Sequence, residues 1–290
     1  MRKLFFNKIK VHCWGGLGSQ LFAWAMAEKL KIRFPSKDIQ IVLHNSGVTK
    51  RECAIDFLLN RFTIVKVNDY TQSKSSEQKS PKRIAKFKSM VKLVLDYVGI
   101  IIYFSNLETM AKVKPWTLAL RGHYAHDVVP VSILLSMIEQ ITLKKELQFE
   151  NSNKSQNILG IHYRLGDLLK LENKTYINPN ILGPFITKNL VIQNPKSVLI
   201  YSDDITIAKE YLDHYLPQNA KYIDKDVWTT LAELTNIDSF IGTNSKISLW
   251  VTLFRKAHNP NSYVALPRSM VTELDKILFK SCKLDSIEFY

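Results

Sequence analysis

The sequence predicts an α/β protein with parallel sheets, organised in two halves. Three observations lead there. From residue 158 onward, short apolar runs of strand length alternate with longer segments of helical period. Near the N-terminus a strand, a glycine-rich turn, a helix and a second strand follow in the order of a βαβ unit. The chain has 290 residues, enough for about two domains at ~100–200 residues each.

The elements follow in order. Ile9 to Cys13 is the first predicted strand, and Gly15-Gly16-Leu17-Gly18-Ser19-Gln20 is the turn after it. Leu21, Ala25, Met26 and Leu30 mark the buried face of a helix over about Leu21 to Phe34, and Ile39 to Leu43 is the second strand. Thr71 to Lys82 is rich in Ser, Lys and Gln without apolar period and predicts a mobile loop. Arg83 to Phe104 starts basic and turns strongly apolar. It reads either as a helix lying on a membrane surface or as a core helix with a solvated start, the second being preferred. Val129 to Leu147 predicts a helix, and the polar stretch Glu150 to Gln156 predicts the domain boundary, giving domains 1–155 and 156–290.

The second half is more regular. Strands are predicted at Ile158–Ile161, Ser197–Tyr201, Ser239–Ile241 and Tyr263–Ala265. Helices are predicted near Ile181–Val191, Ile205–Leu216, Val227–Thr235 and Lys246–Ala257. This alternation implies a parallel sheet covered on both faces. No internal repeat is found.

Composition narrows the function classes. A net charge of +14 suits anionic partners: nucleic acid, a phosphorylated substrate or an anionic membrane face. A basic solvated surface is the plain alternative. Cys13, Cys53 and Cys282 are too few and too scattered for a disulfide framework or a zinc site, which fits a reducing compartment. Met1 to Lys10 has no long apolar segment and predicts no signal peptide. No run meets the ~20-residue requirement for a membrane span.

The polar residues with chemical potential sit at predicted strand ends. His162-Tyr163-Arg164-Leu165-Gly166-Asp167 follows the Ile158 strand. Open α/β sheets bind ligands at strand carboxyl ends, and an arginine there forks onto phosphate oxygens. His162 and Asp167 either orient Arg164 or touch base and sugar; the plain alternative is a salt bridge that closes the loop. Ser202-Asp203-Asp204 admits three readings: a divalent ion beneath a diphosphate, a carboxylate reading a guanine edge, or helix N-capping. Thr243-Asn244-Ser245 opens a helix, where hydroxyls and amides bind phosphate with Lys246 adding charge, or where they only cap. The Gly15–Gly18 turn lacks GxGxxG spacing, so by itself it is a weak sign of phosphate binding.

Taken in order, these segments resemble the motifs of the bacterial α-1,2-fucosyltransferase family, a group of inverting glycosyltransferases. Gly15-Gly16-Leu17-Gly18-Ser19-Gln20-Leu21-Phe22-Ala23-Trp24-Ala25 is similar to GGLGNQMFQYA, and His162 to Leu168 to HIRRGDY. Tyr201-Ser202-Asp203-Asp204 is similar to FSDD, Thr243 to Trp250 to ANSSFSWW, and Gly122 to Asp127 more weakly to GYFQSEKYF. The resemblance covers roughly residues 9 to 257.

It implies a GT-B architecture, two Rossmann-like domains facing a central cleft, with a last helix that packs back on the N-terminal domain. It implies inverting, metal-independent transfer of fucose from GDP-fucose, with no cofactor. By position, Arg164 would hold the donor diphosphate and stabilise the leaving nucleotide. Asp203, beside Asp204 and His162, would read the base. Asn244, Ser245 and Ser248 would lie near the phosphates, and Gly16, Gly18 and Gln20 would approach them from the N-terminal domain.

The family's second arginine is Leu165 here, its turn asparagine is Ser19, and a serine of its late block is Lys246. Leu165 is read as removing a donor from the sugar-phosphate region, with Lys246 restoring the charge. The acceptor hydroxyl must lose a proton; His126 is the leading candidate base, ahead of Asp127 and His12, with a structural role as the preferred alternative for each.

The expected partners are a nucleotide sugar and an oligosaccharide acceptor of a bacterial surface polysaccharide, carried on a polyprenyl diphosphate, with an anionic membrane surface nearby. The expected location is cytoplasmic, on the inner face of the membrane. The rivals are a transferase with another nucleotide-sugar donor and a non-catalytic binder of nucleotide sugars or nucleic acid. Clustered aromatic–basic platforms for single strands are not evident, and no nucleic-acid partner is expected.

Overall fold

A computed structural model describes residues 7–45, 53–67, 82–104, 110–122, 124–125, 129–147, 157–170, 175–270 and 286–290. The chain divides into two compact units between Val129 and Pro130. The expected boundary was at residue 155. The difference is helix α3 (Val131–Lys145), which packs on α7 (Lys246–His258) and so belongs with the second unit. The Glu150–Gln156 stretch lies outside the described residues, as do Thr71–Pro81 of the predicted loop and Cys282.

The first unit holds one five-stranded parallel sheet. Its strands are β1 (Lys8–Trp14), β2 (Asp38–His44), β3 (Thr63–Val67), β4 (Ile101–Phe104) and β5 (Ala119–Gly122), in the order β3-β2-β1-β5-β4. Helix α1 (Leu17–Arg33) joins β1 to β2. It starts a turn earlier than predicted, so Leu17 to Gln20 are helix and only Gly15 and Gly16 remain loop. Trp24, Met26 and Leu30 of α1 are fully buried, and the small side chains Ala23, Ala25 and Ala27 let the helix seat closely. One acid in this core is paired: Glu28 accepts from the Trp24 indole at 2.9 Å and from the Arg61 guanidinium at 2.6 and 2.5 Å.

Residues 82–104 depart from the preferred reading of a core helix. Helix α2 (Lys82–Tyr97) stops two residues before Gly99, and the apolar run continues as strand β4. Gly99 has φ +74°, a left-handed backbone that favours glycine. The Ile100 N–H returns to the Leu95 carbonyl at 3.0 Å, closing the helix end. Much of the last part of α2 is exposed rather than buried: Met90, Leu93, Val94 and Tyr97 all face water.

The second unit holds a six-stranded parallel sheet. Its strands are β6 (Ile158–Tyr163), β7 (Ser197–Ser202), β8 (Lys221–Ile223), β9 (Ser239–Gly242), β10 (Tyr263–Leu266) and β11 (Ile287–Phe289). Their spatial order, β8-β7-β6-β9-β10-β11, is the 3-2-1-4-5-6 arrangement of a dinucleotide-binding sheet. Helices α4 (Pro179–Gln193), α5 (Ile205–Leu212) and α6 (Val227–Asn236) complete the connections, with α7 between β9 and β10. Asn178, Asp204, Asp226 and Ser245 cap these helices through their own side chains. Leu159, Ile161, Ile200, Ile241 and Ala265 are buried centre-strand residues, which is why these strands read as continuous apolar runs.

The fold class is therefore as expected, α/β with two Rossmann-like units. Residues 271–285, where a last helix would have to run, lie outside the described residues, and the last described element is edge strand β11.

Candidate functional site

In the second unit the chain runs from β6 outward through β7 and β8, then returns to place β9 on the other side of β6. The carboxyl ends of β6 and β9 thus form the topological switch point, where open α/β sheets carry their ligands. His162-Tyr163-Arg164 ends β6 and Gly242-Thr243-Asn244 ends β9, while Ser202-Asp203-Asp204 ends the neighbouring β7. The three segments singled out in the sequence lie side by side.

Arg164 is at the centre. Its Nη1 donates to Asp203 Oδ2 and its Nη2 to Asp167 Oδ1, the latter at 2.6 Å. The other Asp203 oxygen accepts the Leu165 backbone N–H at 2.9 Å. A guanidinium has more donors than these contacts use, so Arg164 keeps N–H groups for an anion while two carboxylates fix its plane. Gly166 is needed beneath this cluster: a Cβ there would lie 2.1 Å from Asp203 Oδ2. The salt-bridge reading of this loop is thus observed, and it also orients the arginine.

A buried hydroxyl bracket holds the strand ends in register. Thr243 Oγ1 donates to the His162 carbonyl at 2.7 Å and accepts the Arg164 N–H at 2.9 Å. Ser248 Oγ lies 2.8 Å from His162 Nδ1 and accepts the Thr243 N–H at 3.2 Å. Burial, helped by the charge of Arg164, pushes the His162 imidazole down to about 3, so it is neutral at physiological pH. His162 and Ser248 thus brace the switch point from beneath. From the C-terminal end, the Tyr290 hydroxyl donates to the Gly242 carbonyl at 2.9 Å.

The two acids of Ser202-Asp203-Asp204 have different partners. Asp203 serves Arg164, and Asp204 caps α5 by accepting the Ile207 N–H at 3.1 Å. The capping reading therefore holds for Asp204. Ser245 likewise caps α7 through the Ile247 N–H at 3.1 Å, and Asn244 donates to the Thr175 carbonyl at 2.7 Å. Among the described residues no group of three or more His, Cys, Asp or Glu side chains could hold a metal ion.

Leu165 requires a correction. It does not line the site: its side chain is 0% exposed in the core with Tyr163, Ile177 and Leu182. An arginine there would place its charge among apolar side chains, so Leu165 leaves no gap for Lys246 to fill. The inference that Leu165 alters the sugar-phosphate region falls with it.

The first unit carries its own polar cluster at the carboxyl ends of β1 and β2. Gly15 has φ +115° and Gly16 caps α1. Gln20 is buried, its amide donating to the Gly15 carbonyl at 3.3 Å and accepting the Ala54 N–H at 2.8 Å. Gly18 and Gln20 are both buried in the first turn of α1. Beside them, His12, Trp14 and His44 form a ring stack, Trp14 and His44 lying 4.3 Å apart. His12 Nδ1 is 2.8 Å from His44 Nε2. Burial, then the charges of Arg121, His44 and Lys10, lowers His12 to about 4. His126 and Asp127 lie outside the described residues.

Sequence reading missed Thr243 as the bracket, Gly166 as the seat of Asp203, and the Trp14–His44 stack. A hydroxyl directly after a strand signalled the first. The stack had no sequence signal, because Trp14 and His44 meet only through the β1–β2 register.

Fold and site together define a Rossmann-type protein with an arginine-centred polar cluster at its switch point. No protein-family model and no curated protein matches the chain. Among solved structures it is similar to POFUT1 in complex with GDP-fucose, at 13% identity and TM-score 0.40, covering 90% of this chain and 98% of that one. It is similar to a family 9 glycosyl transferase from Veillonella parvula DSM 2008, at 8% identity and TM-score 0.44, covering 91% and 82%. It is also similar to a glycosyltransferase from Rickettsia africae ESF-5, at 10% identity and TM-score 0.41, covering 90% and 79%.

Proposed function

We propose that the chain is an inverting glycosyltransferase that binds the diphosphate of a nucleotide sugar at the β6–β9 switch point. The observation that carries this reading is Arg164, held in plane by Asp203 and Asp167 at a strand carboxyl end. In the proposed reaction an acceptor hydroxyl attacks the anomeric carbon as the bond to the phosphate oxygen breaks. The nucleoside diphosphate leaves with the bonding pair, and the acceptor releases its proton. Arg164 donates to the oxygens on which charge develops, and its fixed plane means little reorganisation is needed at that moment. The N-terminus of α7 adds a favourable end for the same anion.

The donor proposed is GDP-fucose, supported by the ordered motif resemblance. The acceptor is an oligosaccharide of a bacterial surface polysaccharide, carried on a polyprenyl diphosphate. No metal or cofactor is assigned a role. Reading a guanine edge would require Asp203 to add partners to a carboxylate already committed to Arg164 and Leu165.

A thermal-shift panel of GDP, UDP, dTDP and CMP tests the reading. Selective stabilisation by GDP is the expected result. Stabilisation by UDP alone would overturn the fucose donor, and no response to any nucleotide would overturn the site.

A further inference from the structure

Helix α2 presents an apolar stripe to water. Met90, Leu93, Val94 and Tyr97 occupy i, i+3, i+4 and i+7, one face of a helix, and all four are exposed, Leu93 at 66% and Tyr97 at 94%. In a soluble helix this face is the one turned to the core. The stripe continues onto the adjoining turn, where Trp116 is 48% exposed and its indole N–H donates to the Val98 carbonyl at 2.9 Å. That bond fixes the ring at the end of the helix.

Positive charge accompanies the stripe. Lys112 and Lys114 are exposed on the same turn, which lies against the end of α2: a Cβ on Gly99 would sit 3.4 Å from Lys114 Cγ. Lys37 reaches this turn through the Pro115 carbonyl at 2.6 Å, and Arg33 through the Met110 carbonyl. The sequence of α2 carries Lys82, Arg83, Lys86, Lys88 and Lys92 against a single acid, Asp96. The Asp96 carboxylate accepts the Tyr103 N–H at 2.8 Å.

We infer that this face is a docking surface for an anionic lipid bilayer. Exposed aliphatic side chains with a Trp and a Tyr beside them suit the boundary between headgroups and acyl chains. The basic residues match the negative surface potential of anionic lipid. Among the described residues no helix is long and apolar enough to cross a membrane, so the helix lies on the surface. The inference rests on the first unit alone and stands whether or not Arg164 binds a nucleotide.

The test is sedimentation of the full chain with phosphatidylcholine vesicles, with and without phosphatidylglycerol. Binding is expected to the phosphatidylglycerol vesicles and to weaken as salt rises. The Leu93→Ser/Tyr97→Ser variant should bind about tenfold less or weaker still, and so should Lys112→Gln/Lys114→Gln, whose side chains are exposed and whose fold is checked by circular dichroism. Absence of binding at low salt, or equal binding by both variants and the parent, would overturn the inference. So would a dimer, seen by light scattering, that Leu93→Ser/Tyr97→Ser converts to monomer, since the stripe would then cover a second copy.

Discussion

Replacing Arg164 with alanine should lower sugar-transfer turnover by about two to three orders of magnitude, the loss typical of removing one preorganised donor to developing charge. The fold should survive. The ion pairs of Arg164 to Asp167 and Asp203 are part-exposed, and pairs of that kind contribute only about 1 kcal/mol. Backbone contacts that do not involve the guanidinium hold the loop: Arg164 N–H to Thr243 and Leu165 N–H to Asp203. Arg164→Lys should not restore activity, because an ammonium cannot span two carboxylates in one plane and still present a fork to phosphate. Steady-state kinetics of nucleotide release, with unfolding followed by circular dichroism, checks both halves. Unchanged turnover in Arg164→Ala would reduce the residue to a loop clamp.

Replacing Arg255 with methionine should destabilise the protein by about 3–5 kcal/mol, because several buried carbonyls lose their donor at once and each one left unsatisfied costs about 1–3 kcal/mol. Arg255 is 2% exposed. Its Nη1 donates to the carbonyls of Leu234 and Thr235 at 3.0 and 3.2 Å and to that of Ile237, and its Nη2 to the Asp238 carbonyl at 2.8 Å. These are the last carbonyls of α6 and the turn into β9, which otherwise lack helical partners. Burial lowers the guanidinium to about 10, partly offset by Asp238, so it stays charged at neutral pH. Methionine keeps much of the apolar stem and removes every donor. Urea unfolding measures the loss, and a change below about 1 kcal/mol, the net worth of one ordinary hydrogen bond, would contradict this account. The network joins the amino end of the sheet, where Asp238 also accepts the Ile158 N–H at 2.9 Å. Nucleotide affinity of the folded variant should therefore change little.

The two halves differ in how much of them the sequence discloses, for a physical reason. Strands β6, β7, β9 and β10 pack on both faces, so each is an apolar run, and the first three lead directly into polar residues. Edge strands β3 and β11 have no fully buried residue, and β8 is only Lys221–Ile223. None of the three offers either apolar continuity or a clean alternation. Strand β4 was hidden differently: its apolar residues continue those of α2, and only Gly99, left-handed in the structure, marks the break.

At the site, residue types at strand ends disclosed Arg164, Asp167 and Asp203. Side-chain direction is also legible in the sequence. Ile161, Tyr163 and Leu165 are all fully buried, an alternation that runs past the end of β6 and turns Leu165 to the core while His162 and Arg164 face the other way. What sequence spacing does not carry is the bracket of Thr243, Ser248 and His162, which exists only because β6 and β9 are neighbours.

Hydrogen–deuterium exchange of the full chain with and without saturating GDP shows whether the β6–β9 switch point holds the nucleotide. Slowed exchange is expected in peptides that cover residues 162–168 and 242–248, the two strand ends at the switch point. GDP binding that leaves both peptides unprotected would contradict that placement.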